Sequence, residues 1–467
     1  MSANPATKLG SHSRSAVLLP MEILATIFEL GHLEFTEKLA GRIFILKVSH
    51  VCQQWRDAAA NHQMLWTDVF VKIGRRTPRW PVLQCLARSG ARPIDIHITS
   101  SVRIDDRTLG YATKLTFEMI TAHSHRWRSF RAHCDTDVKL FYIKRALNTI
   151  HAPNLEDLKL EEEDDTLDQV GVPSPAPKSI FSLFTKAVSV PDDIAAHDIL
   201  TGGAPLLKSV TLRNILCVPP MKVVRHLHLD NVYSRDSSTY NPAIDAIFSN
   251  LPLLQELTIS GRFALSTTFS PSVTEINLPS LVTLRIRAHP GQLGIRGPLS
   301  YFLRVVSAPL LQSLVLENVS FSKIREDLHW NNRDFPLLRS LAVASWATHD
   351  SPRYGLVFLD NRFPAITHLN IRSSLAPADC FLHPNPEVQA WLKSETITLH
   401  ELASNEITPF CDSLAKRSLT CPLPRRIVVR NCGPGVADAL LMGLHDRGLH
   451  IEIYTSAGND VPWYADV

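Results

Sequence analysis

Apolar and polar residues alternate in a short phrase that recurs along this chain. The phrase has a small or apolar residue, a proline, and then leucines that end in an alternating Leu-x-Leu; it reads APLLQSLVLEN from 308 and FPLLRSLAVAS from 335. Alternation with a period of two is typical of a β-strand with one buried face. The first apolar residue of the alternation falls at eleven positions: Leu158, Val210, Leu227, Leu257, Leu284, Leu314, Leu341, Leu369, Ile397, Ile427 and Ile451.

The spacing of these positions indicates a repeat. From Leu227 onward the steps are 30, 27, 30, 27, 28, 28, 30 and 24 residues, whereas the first two steps are 52 and 17. Such a step holds one strand and a returning segment, which is too little chain to bury an apolar face alone, so the units must stack. Helical sequence lies between strands at 242–251, 299–307 and 435–448, and this alternation predicts parallel strands.

We therefore predict an α/β solenoid, with a curved sheet of parallel strands, helices on its convex side and mostly polar residues on its concave face. Over roughly residues 150–455 the phrase resembles the leucine-rich repeat, although only Cys432 clearly matches the Asn or Cys of that consensus. An asparagine stands one place earlier in four units: Asn214, Asn231, Asn318 and Asn431. The proline before each strand lacks an N–H and suits the start of a strand. A single irregular α/β domain is the alternative.

The N-terminal segment has a helical period instead. Residues 18–30 read LLPMEILATIFEL, in which Pro20 suits the first turn of a helix and apolar residues follow at helical spacing. A second amphipathic stretch, LKVSHVCQQWRDAAANHQMLWTDVFV, begins at Leu46. The combination L-P-x-E-I-L-x-x-I-F, V-x-x-x-W-R-x-x-A and L-W resembles the F-box, especially its F-box-like form in fungal proteins, with a longer insert at 31–44. A helical hairpin that caps the repeat array is the alternative.

The segments that follow also contribute to the resemblance. Helix-then-strand patterns at 80–98 and 123–134 resemble the segments that join F-box and repeats in basidiomycete F-box proteins, so the array is expected to start near residue 91. The acidic and proline-rich stretch 161–179 is interpreted as a flexible insertion, with docking of a basic partner as the alternative. The predicted organisation is a disordered lead (1–15), a short all-α F-box-like segment (16–72) and a leucine-rich-repeat-like domain (73–467).

Composition narrows the classes of function. The chain is 45% hydrophobic and 20% charged with a formal net charge of +3, which favours a globular protein and gives no strong field for nucleic acid or a membrane surface. No apolar run approaches the roughly 20 residues that span a bilayer. The N-terminus lacks a secretory apolar stretch and the eight cysteines form no C-x-x-C pair, so we expect an intracellular protein, cytoplasmic or nuclear.

A search for catalytic motifs leaves little support for an enzyme. The chain contains no P-loop, G-x-G-x-x-G, G-x-S-x-G or H-E-x-x-H sequence. The best candidate for a metal site is His226 and His228, on one face of a predicted strand, beside Glu256 on the next strand. An open strand surface supplies no second shell and does not exclude water, so we predict no metal, no cofactor and solvated histidines.

The favoured function is that of a binding protein. The F-box resemblance implies a Skp-family adaptor and hence a cullin–RING ubiquitin ligase, with the repeats holding a target protein; a repeat scaffold outside any ligase is the alternative. The residues expected to contact the adaptor or to support the fold of that contact are Leu19, Pro20, Ile23, Leu24, Ile27, Phe28, Val51, Cys52 and Trp55. One apolar stripe looks the same in either role, so the sequence does not separate the two.

The predicted concave face suggests where a target would bind. Most strands present polar residues there, but the strands of Leu314 and Leu341 present small or apolar ones, with arginines on both sides. A nearly uncharged patch beside arginines favours an acidic or phosphorylated ligand. The predicted target-binding residues are Arg285, Arg287, Val315, Ala342, Ala344, Trp346, Asn370 and Arg372. The alternative is that Trp346 turns into the core and the small residues only accommodate curvature.

Overall fold

The computed structural model describes sixteen stretches of the chain. They are residues 19–73, 79–100, 106–135, 137–163, 198–232, 242–261, 276–288, 302–303, 305–318, 335–344, 363, 365–372, 395–418, 423–433, 435–449 and 451–456. The predicted disordered lead at 1–15, most of the predicted insertion at 161–179, and Trp346 lie outside the described residues.

Three short helices begin the described chain: α1 (Met21–Leu33), α2 (Lys38–Ser49) and α3 (Gln53–Asn61). A 3₁₀ turn, Gln63–Trp66, follows them. Helix α1 starts directly after Pro20, whose carbonyl accepts a hydrogen bond from the Leu24 N–H at 3.1 Å. The missing N–H of a proline costs nothing at that position. The helices share a core whose members are Leu24, Phe28, Ile45, Val48, Ala58, Ala59, Leu65 and Trp66.

A sheet of fourteen parallel strands forms the rest of the fold. Neighbouring strands in this sheet follow one another in the order of the chain. The strands are β1 (Asp68–Lys72), β2 (Ile94–Ser100), β3 (Trp127–Cys134), β4 (Asp157–Glu162), β5 (Ser209–Arg213), β6 (His226–Asp230), β7 (Glu256–Gly261), β9 (Thr283–Ala288), β11 (Ser313–Glu317), β12 (Ser340–Ala344), β13 (His368–Arg372), β14 (Thr396–His400), β15 (Arg426–Arg430) and β16 (Glu452–Ser456). Two short strands, β8 (Ile276–Asn277) and β10 (Val306–Ser307), form a separate parallel pair.

The predicted strand register is confirmed at ten of its eleven positions. From Leu158 to Ile427, each predicted residue is the second residue of its strand, and Leu284 pairs with Leu314 on a parallel neighbour. The last position is wrong, because Ile427 pairs with Ile453 and Ile451 precedes the strand. Leu449, Ile451 and Ile453 continue one alternation, so the sequence does not mark where the paired segment begins.

The sheet begins earlier in the chain than predicted. Strand β1 pairs in register with β2, Val69 opposite Ile96, although residues 68–72 fall in the segment expected to be all helical. The predicted helix and strand at 80–98 are confirmed as α4 (Arg79–Arg88) and β2, with Gly90 at a φ of +56° between them. The helical segment is therefore followed without a break by the first strand of the sheet.

A tight turn precedes each strand of the fourteen-stranded sheet from β4 to β13, and we call these the leading turns. In the turn before β5 the Leu207 N–H donates to the Ala204 carbonyl at 3.2 Å, and in the turn before β11 the Leu311 N–H donates to the Ala308 carbonyl at 3.1 Å. Proline usually occupies the second turn position, where its fixed φ is favoured. The first and fourth turn residues are buried, so the two middle residues point outward.

A residue with left-handed backbone follows several strands. The four asparagines that depart from the repeat consensus have φ between 50° and 57°: Asn214, Asn231, Asn318 and Asn431. Asparagine adopts this conformation more readily than most residues. The N–H groups of Asn214 and Asn231 then donate to the next strand at 2.8 and 2.9 Å. The position of these asparagines therefore has a conformational cause.

Further helices connect the strands: α5 (Asp106–Thr121), α6 (Asp137–Leu147), α7 (Pro242–Phe248), α8 (Ile407–Ser418) and α9 (Val436–His445). The predicted helices at 242–251 and 435–448 are confirmed by α7 and α9, whereas the predicted helix at 299–307 is wrong at its end, where Val306 and Ser307 form β10. The buried residues of α9, such as Leu440 and Leu444, belong to the same core as the second and fourth strand residues. Among the described residues no helix is long and apolar enough to span a membrane.

Candidate functional site

Helix α1 has two apolar faces. Its inner face buries Leu24 and Phe28, which are no more than 2% exposed, in the core of the helical segment. Its outer face presents Ile23, Ile27 and Leu30, which are 46–60% exposed. A helix at the surface of a globular protein normally has one apolar face and one polar face. The outer apolar residues of α1 are therefore not needed to fill this core.

Helix α2 repeats the arrangement. Ile45 and Val48 lie in the core, whereas Leu39, Ile43 and Leu46 are 42–54% exposed at spacings of four and three residues. Together with the residues around the helix ends they form what we call the exposed apolar surface. Its members are Leu19, Ile23, Ile27, Leu30, Leu33, Phe35, Leu39, Ile43, Leu46 and Val51.

The nine predicted adaptor residues differ in their solvent exposure. The exposed ones are Leu19, Pro20, Ile23, Ile27, Val51 and Cys52. Leu24 and Phe28 are buried, and Trp55 is half-buried with its ring centroid 5.1 Å from that of Phe28. The first group is available to a partner, and the second group supports the helices.

Sequence reasoning missed the part of this surface that comes from the insert and its flanks. The missed residues are Leu30, Leu33, Phe35, Leu39, Ile43 and Leu46. The sequence pattern predicts an insert at 31–44, whereas in the structure α2 begins inside this segment. The spacing of Leu39, Ile43 and Leu46 is a helical signal that was present in the sequence.

Two glycines allow α1 and α2 to approach each other closely. A Cβ atom on Gly31 would lie 2.8 Å from the Phe44 ring, and one on Gly41 would lie 2.7 Å from Nδ1 of His32. Both distances are shorter than van der Waals contact, so a larger residue would require the Phe44 ring or the His32 ring to shift. These glycines therefore leave room for the two rings where α1 and α2 pack together.

A buried carboxylate joins the helices to the sheet. Asp68, the first residue of β1, is 3% exposed, and its Oδ2 lies 3.3 Å from His32 Nε2 on α1 and 3.5 Å from Lys38 Nζ on α2. Its Oδ1 lies 3.3 Å from His97 Nε2 on β2. Arg42 on α2 donates to the Asp68 backbone carbonyl at 3.2 Å. This polar junction connects α1, α2, β1 and β2 through one residue.

The environment of Asp68 favours its ionised form. Burial alone would raise the pKa of Asp68, but the hydrogen bonds from His32 and His97 and the nearby Lys38 ammonium outweigh burial and place the pKa well below its ordinary value of 3.8. Arg42 also donates to Cys85 Sγ at 2.6 Å, and the Arg88 guanidinium lies 4.4 Å from the Trp66 ring centroid. Charge-assisted contacts of this kind hold the helical segment in a defined position on the sheet.

From β4 onward, the first, third and fifth residues of the strands in the large sheet form the face opposite the core, which we call the second face. Charged side chains on it pair between neighbouring strands: Arg213 with Asp230 at 3.3 Å and Arg287 with Glu317 at 3.4 Å. Arg372, on β13, pairs at 2.8 Å with Glu401, the residue that follows β14. Arg287 and Arg372, two of the predicted target-binding residues, are thus already paired with carboxylates.

The predicted target patch on this face requires a correction. Val315, Ala342 and Ala344 are at most 3% exposed, and Asn370 is also 3% exposed. These four side chains are therefore out of reach of a bound target in this structure. Small size suggested a shallow open surface, but the burial of these side chains depends on tertiary packing that their own strands do not encode. Arg285 is half-buried, and Trp346 lies outside the described residues.

Of the two histidines considered as metal ligands, His226 lies beside the predicted Glu256, whereas His228 contacts a serine. His226 Nδ1 lies 3.4 Å from Glu256 Oε2, and His228 Nε2 lies 3.3 Å from Ser260 Oγ. Burial lowers the pKa of His228, which favours its neutral form. Over the part of the chain that the structure describes, no group of three or more His, Cys, Asp or Glu side chains has the geometry of a metal site.

Comparison with known families gives one result for this chain. The family model described as F-box-like matches residues 16–72, which contain α1, α2, α3 and β1. A search of curated proteins finds no match. The match supports an F-box protein, and the exposed apolar surface lies within the matched segment.

Proposed function

We propose that this chain is the substrate-recognition subunit of an SCF-type cullin–RING ubiquitin ligase. The F-box-like segment binds a Skp-family adaptor and, through it, the cullin, while the sheet acts as a leucine-rich-repeat array that holds a target protein. The chain transfers no ubiquitin itself and raises the effective concentration of the target near the ligase. It acts inside the cell, in the cytoplasm or nucleus, and is related to basidiomycete F-box proteins.

The observation that carries this proposal is the exposed apolar surface. It consists of ten apolar side chains that are 40–66% exposed, all on or beside α1 and α2. Contiguous exposed apolar surface on a folded protein is typical of an interaction site. The core beneath it is filled by other residues, such as Phe28 and Ile45. Core packing therefore does not explain why the residues of the exposed apolar surface are apolar.

The polar junction at Asp68 supports the same role. A receptor that presents a target to a ligase has to hold its two binding regions in a fixed relation. Asp68 contacts His32 and Lys38 of the adaptor-binding helices and His97 of the sheet. These contacts restrict motion between the helices and the array.

Adaptor binding tests the proposal directly. We expect Ile23→Glu combined with Ile27→Glu to abolish co-purification of a Skp-family adaptor and cullin, since burying unpaired carboxylates in an apolar interface costs several kcal/mol. Leu441→Glu, at a side chain that is 52% exposed on α9, is the matched control and should retain both partners. Wild-type adaptor binding by the double variant, with an unchanged circular dichroism melt, would contradict the proposal.

A repeat scaffold outside any ligase is the second candidate. It is favoured by the contacts between the helices and the first strand, because β1 pairs with β2 and Asp68 anchors α1 and α2, as a cap would require. In that case the full chain would recover neither adaptor nor cullin. Removal of α1 and α2 would then lower the stability of β1 and β2 without changing any ligase contact.

A further inference from the structure

The leading turns place apolar side chains at the edge of the sheet where the strands begin. In the turns before β5, β7, β11 and β12 a leucine occupies the third turn position, and these leucines are 38–45% exposed: Leu206, Leu253, Leu310 and Leu337. A half-buried Val223 occupies the same position before β6. Buried leucines fill the fourth turn position in most of these turns, so the exposed ones are not part of the core.

These five side chains lie in one row because their strands are close neighbours in the sheet. The order β5-β6-β7-β9-β11-β12 is interrupted only at β9, whose turn carries Ser280. Neighbouring strands are about 4.8 Å apart, so the row from Leu206 to Leu337 extends roughly 24 Å. We call this row the leading-turn ridge.

Hydrogen bonds between successive turns keep this edge in place. Ser280 Oγ donates to the Pro252 carbonyl of the preceding turn at 2.7 Å, and Arg339 Nη1 donates to the Ala365 carbonyl of the following turn at 3.2 Å. Prolines at the second turn position restrict the backbone further. The ridge is therefore organised before any partner binds, which lowers the entropy cost of binding.

One end of the ridge is positively charged. Lys222 and Arg225 flank Val223 just before β6; both are exposed, and neither forms an ion pair with another residue that the structure describes. Lys208, before β5, pairs with Glu156 at 3.1 Å, and His226 pairs with Glu256. The residues just before β7, β9 and β11 are uncharged (Gln255, Val282 and Gln312), and the exposed Arg339 occupies this position before β12. A partner that neutralises Lys222 and Arg225 must bring carboxylates to this end.

We propose that the leading-turn ridge binds an amphipathic α-helix with acidic residues beside its apolar face, contributed by the target protein. The spacing fits a helix: leucines two strands apart are separated by about 9.6 Å, and residues seven apart on a helix are separated by about 10.5 Å. Strand addition is excluded at this edge, because it consists of turns and not of an unpaired strand. The assignment of this helix to a target protein rests on the proposed function. The chemistry by which the ridge binds a helix is independent of that function.

The test uses the full chain and a labelled peptide of about 18 residues. The peptide carries leucines seven residues apart, with glutamates beside them at its first turns, and fluorescence anisotropy reports binding. We expect Leu253→Ser combined with Leu310→Ser to weaken binding at least about tenfold. Lys222→Glu combined with Arg225→Glu should weaken it at least about fivefold and should create affinity for the matched lysine peptide.

Controls separate this proposal from the function proposed above. Leu441→Ser removes a leucine on α9 that is at least as exposed as the ridge leucines, and it should leave peptide binding unchanged. Both ridge variants should retain the Skp-family adaptor, so loss of peptide binding is independent of ligase assembly. No binding of the glutamate peptide, equal binding of a scrambled peptide, or binding only to vesicles of anionic phospholipid would overturn the proposal.

Discussion

The α1–α2 pair and the second face of the sheet present opposite kinds of surface. On α1 and α2, apolar side chains such as Ile23 and Ile43 are exposed. On the second face, charged residues such as Arg287 pair with a neighbouring strand, and the apolar residues Val315 and Ala342 are buried. The sequence alone suggested an apolar binding patch in both regions. The comparison teaches that exposure, more than composition, distinguishes a candidate interface from internal packing.

The largest expected loss of stability comes from a substitution on the inner face of α1, and the neighbouring substitution on its outer face is the control. Phe28→Ala should lower the free energy of unfolding by about 3–5 kcal/mol, because a fully buried aromatic leaves a cavity beside Trp55. Ile27→Ala, one residue away and 46% exposed, should change it by less than about 1 kcal/mol. Urea unfolding followed by circular dichroism measures both. Similar losses for the two variants would mean that the outer stripe also packs in the core.

A charged residue among the buried side chains Val315, Ala342 and Ala344 of the second face should lower the free energy of unfolding by nearly as much. Ala342→Glu places a carboxylate at a side chain with no exposed surface, so we expect a loss of at least about 3 kcal/mol. Thr211→Glu, at the same strand position on β5 but half-buried, is the control and should cost less than about 1 kcal/mol. Tolerance of Ala342→Glu, measured by urea unfolding, would show that the patch opens to solvent.

The polar junction connects the two regions, and its removal should have an intermediate effect. Asp68→Asn keeps the shape of the side chain but removes the charge that His32, His97 and Lys38 contact. We expect a loss of about 2–3 kcal/mol at neutral pH, the range for hydrogen bonds to a buried charged group. Asp95→Asn is a comparable change on β2, where Arg128 and Ser129 are the partners, and it should leave the contacts between α1 and β1 intact.

The same junction predicts a dependence on pH. The pKa of Asp68 is lowered by folding, so its contribution to stability is fully present above its ordinary pKa of 3.8 and is lost as pH falls toward the folded value. The free energy of unfolding of the wild type should therefore decrease below about pH 4 more steeply than that of Asp68→Asn. Parallel slopes for the two proteins between pH 5 and roughly pH 2.5 would contradict this assignment.

The smallest expected effect concerns the exposed ion pairs of the second face. Arg287→Ala removes the partner of Glu317, but the Arg287 side chain is 62% exposed, so the loss should stay below about 0.5 kcal/mol. High salt should remove even that difference. A loss above about 1 kcal/mol that persists in high salt would mean that these pairs organise the sheet.

The strands were predictable because their signal is local. A period of two over five residues identifies the buried positions of a strand such as β9 without knowledge of its neighbours. The error at β16 arose where Leu449, Ile451 and Ile453 extend the alternation, since only pairing with Ile427 on β15 fixes the register. Local patterns thus specify which residues can form a strand, and pairing specifies which of them do.

The candidate site was only partly predictable for a related reason. Ile23 and Leu24, like Ile27 and Phe28, are adjacent apolar residues, so hydropathy cannot tell the inner face of α1 from the outer face. The polar junction joins residues that are 29 and 36 positions apart, His97 and His32 from Asp68, and no local pattern indicates such contacts. Both features depend on how elements pack, and both became visible only in the folded chain.

The pairing of β4, β5 and β6 shows how little the sheet depends on the length of its connections. Leu158 and Val210 are opposite each other across 52 residues of chain, and Val210 and Leu227 across 17, yet both pairs keep the same register. Closing the longer connection costs only about 1 kcal/mol more in chain entropy. Insertions and deletions between strands can therefore accumulate with little penalty, and this architecture can acquire or lose whole loops in evolution while its scaffold stays constant.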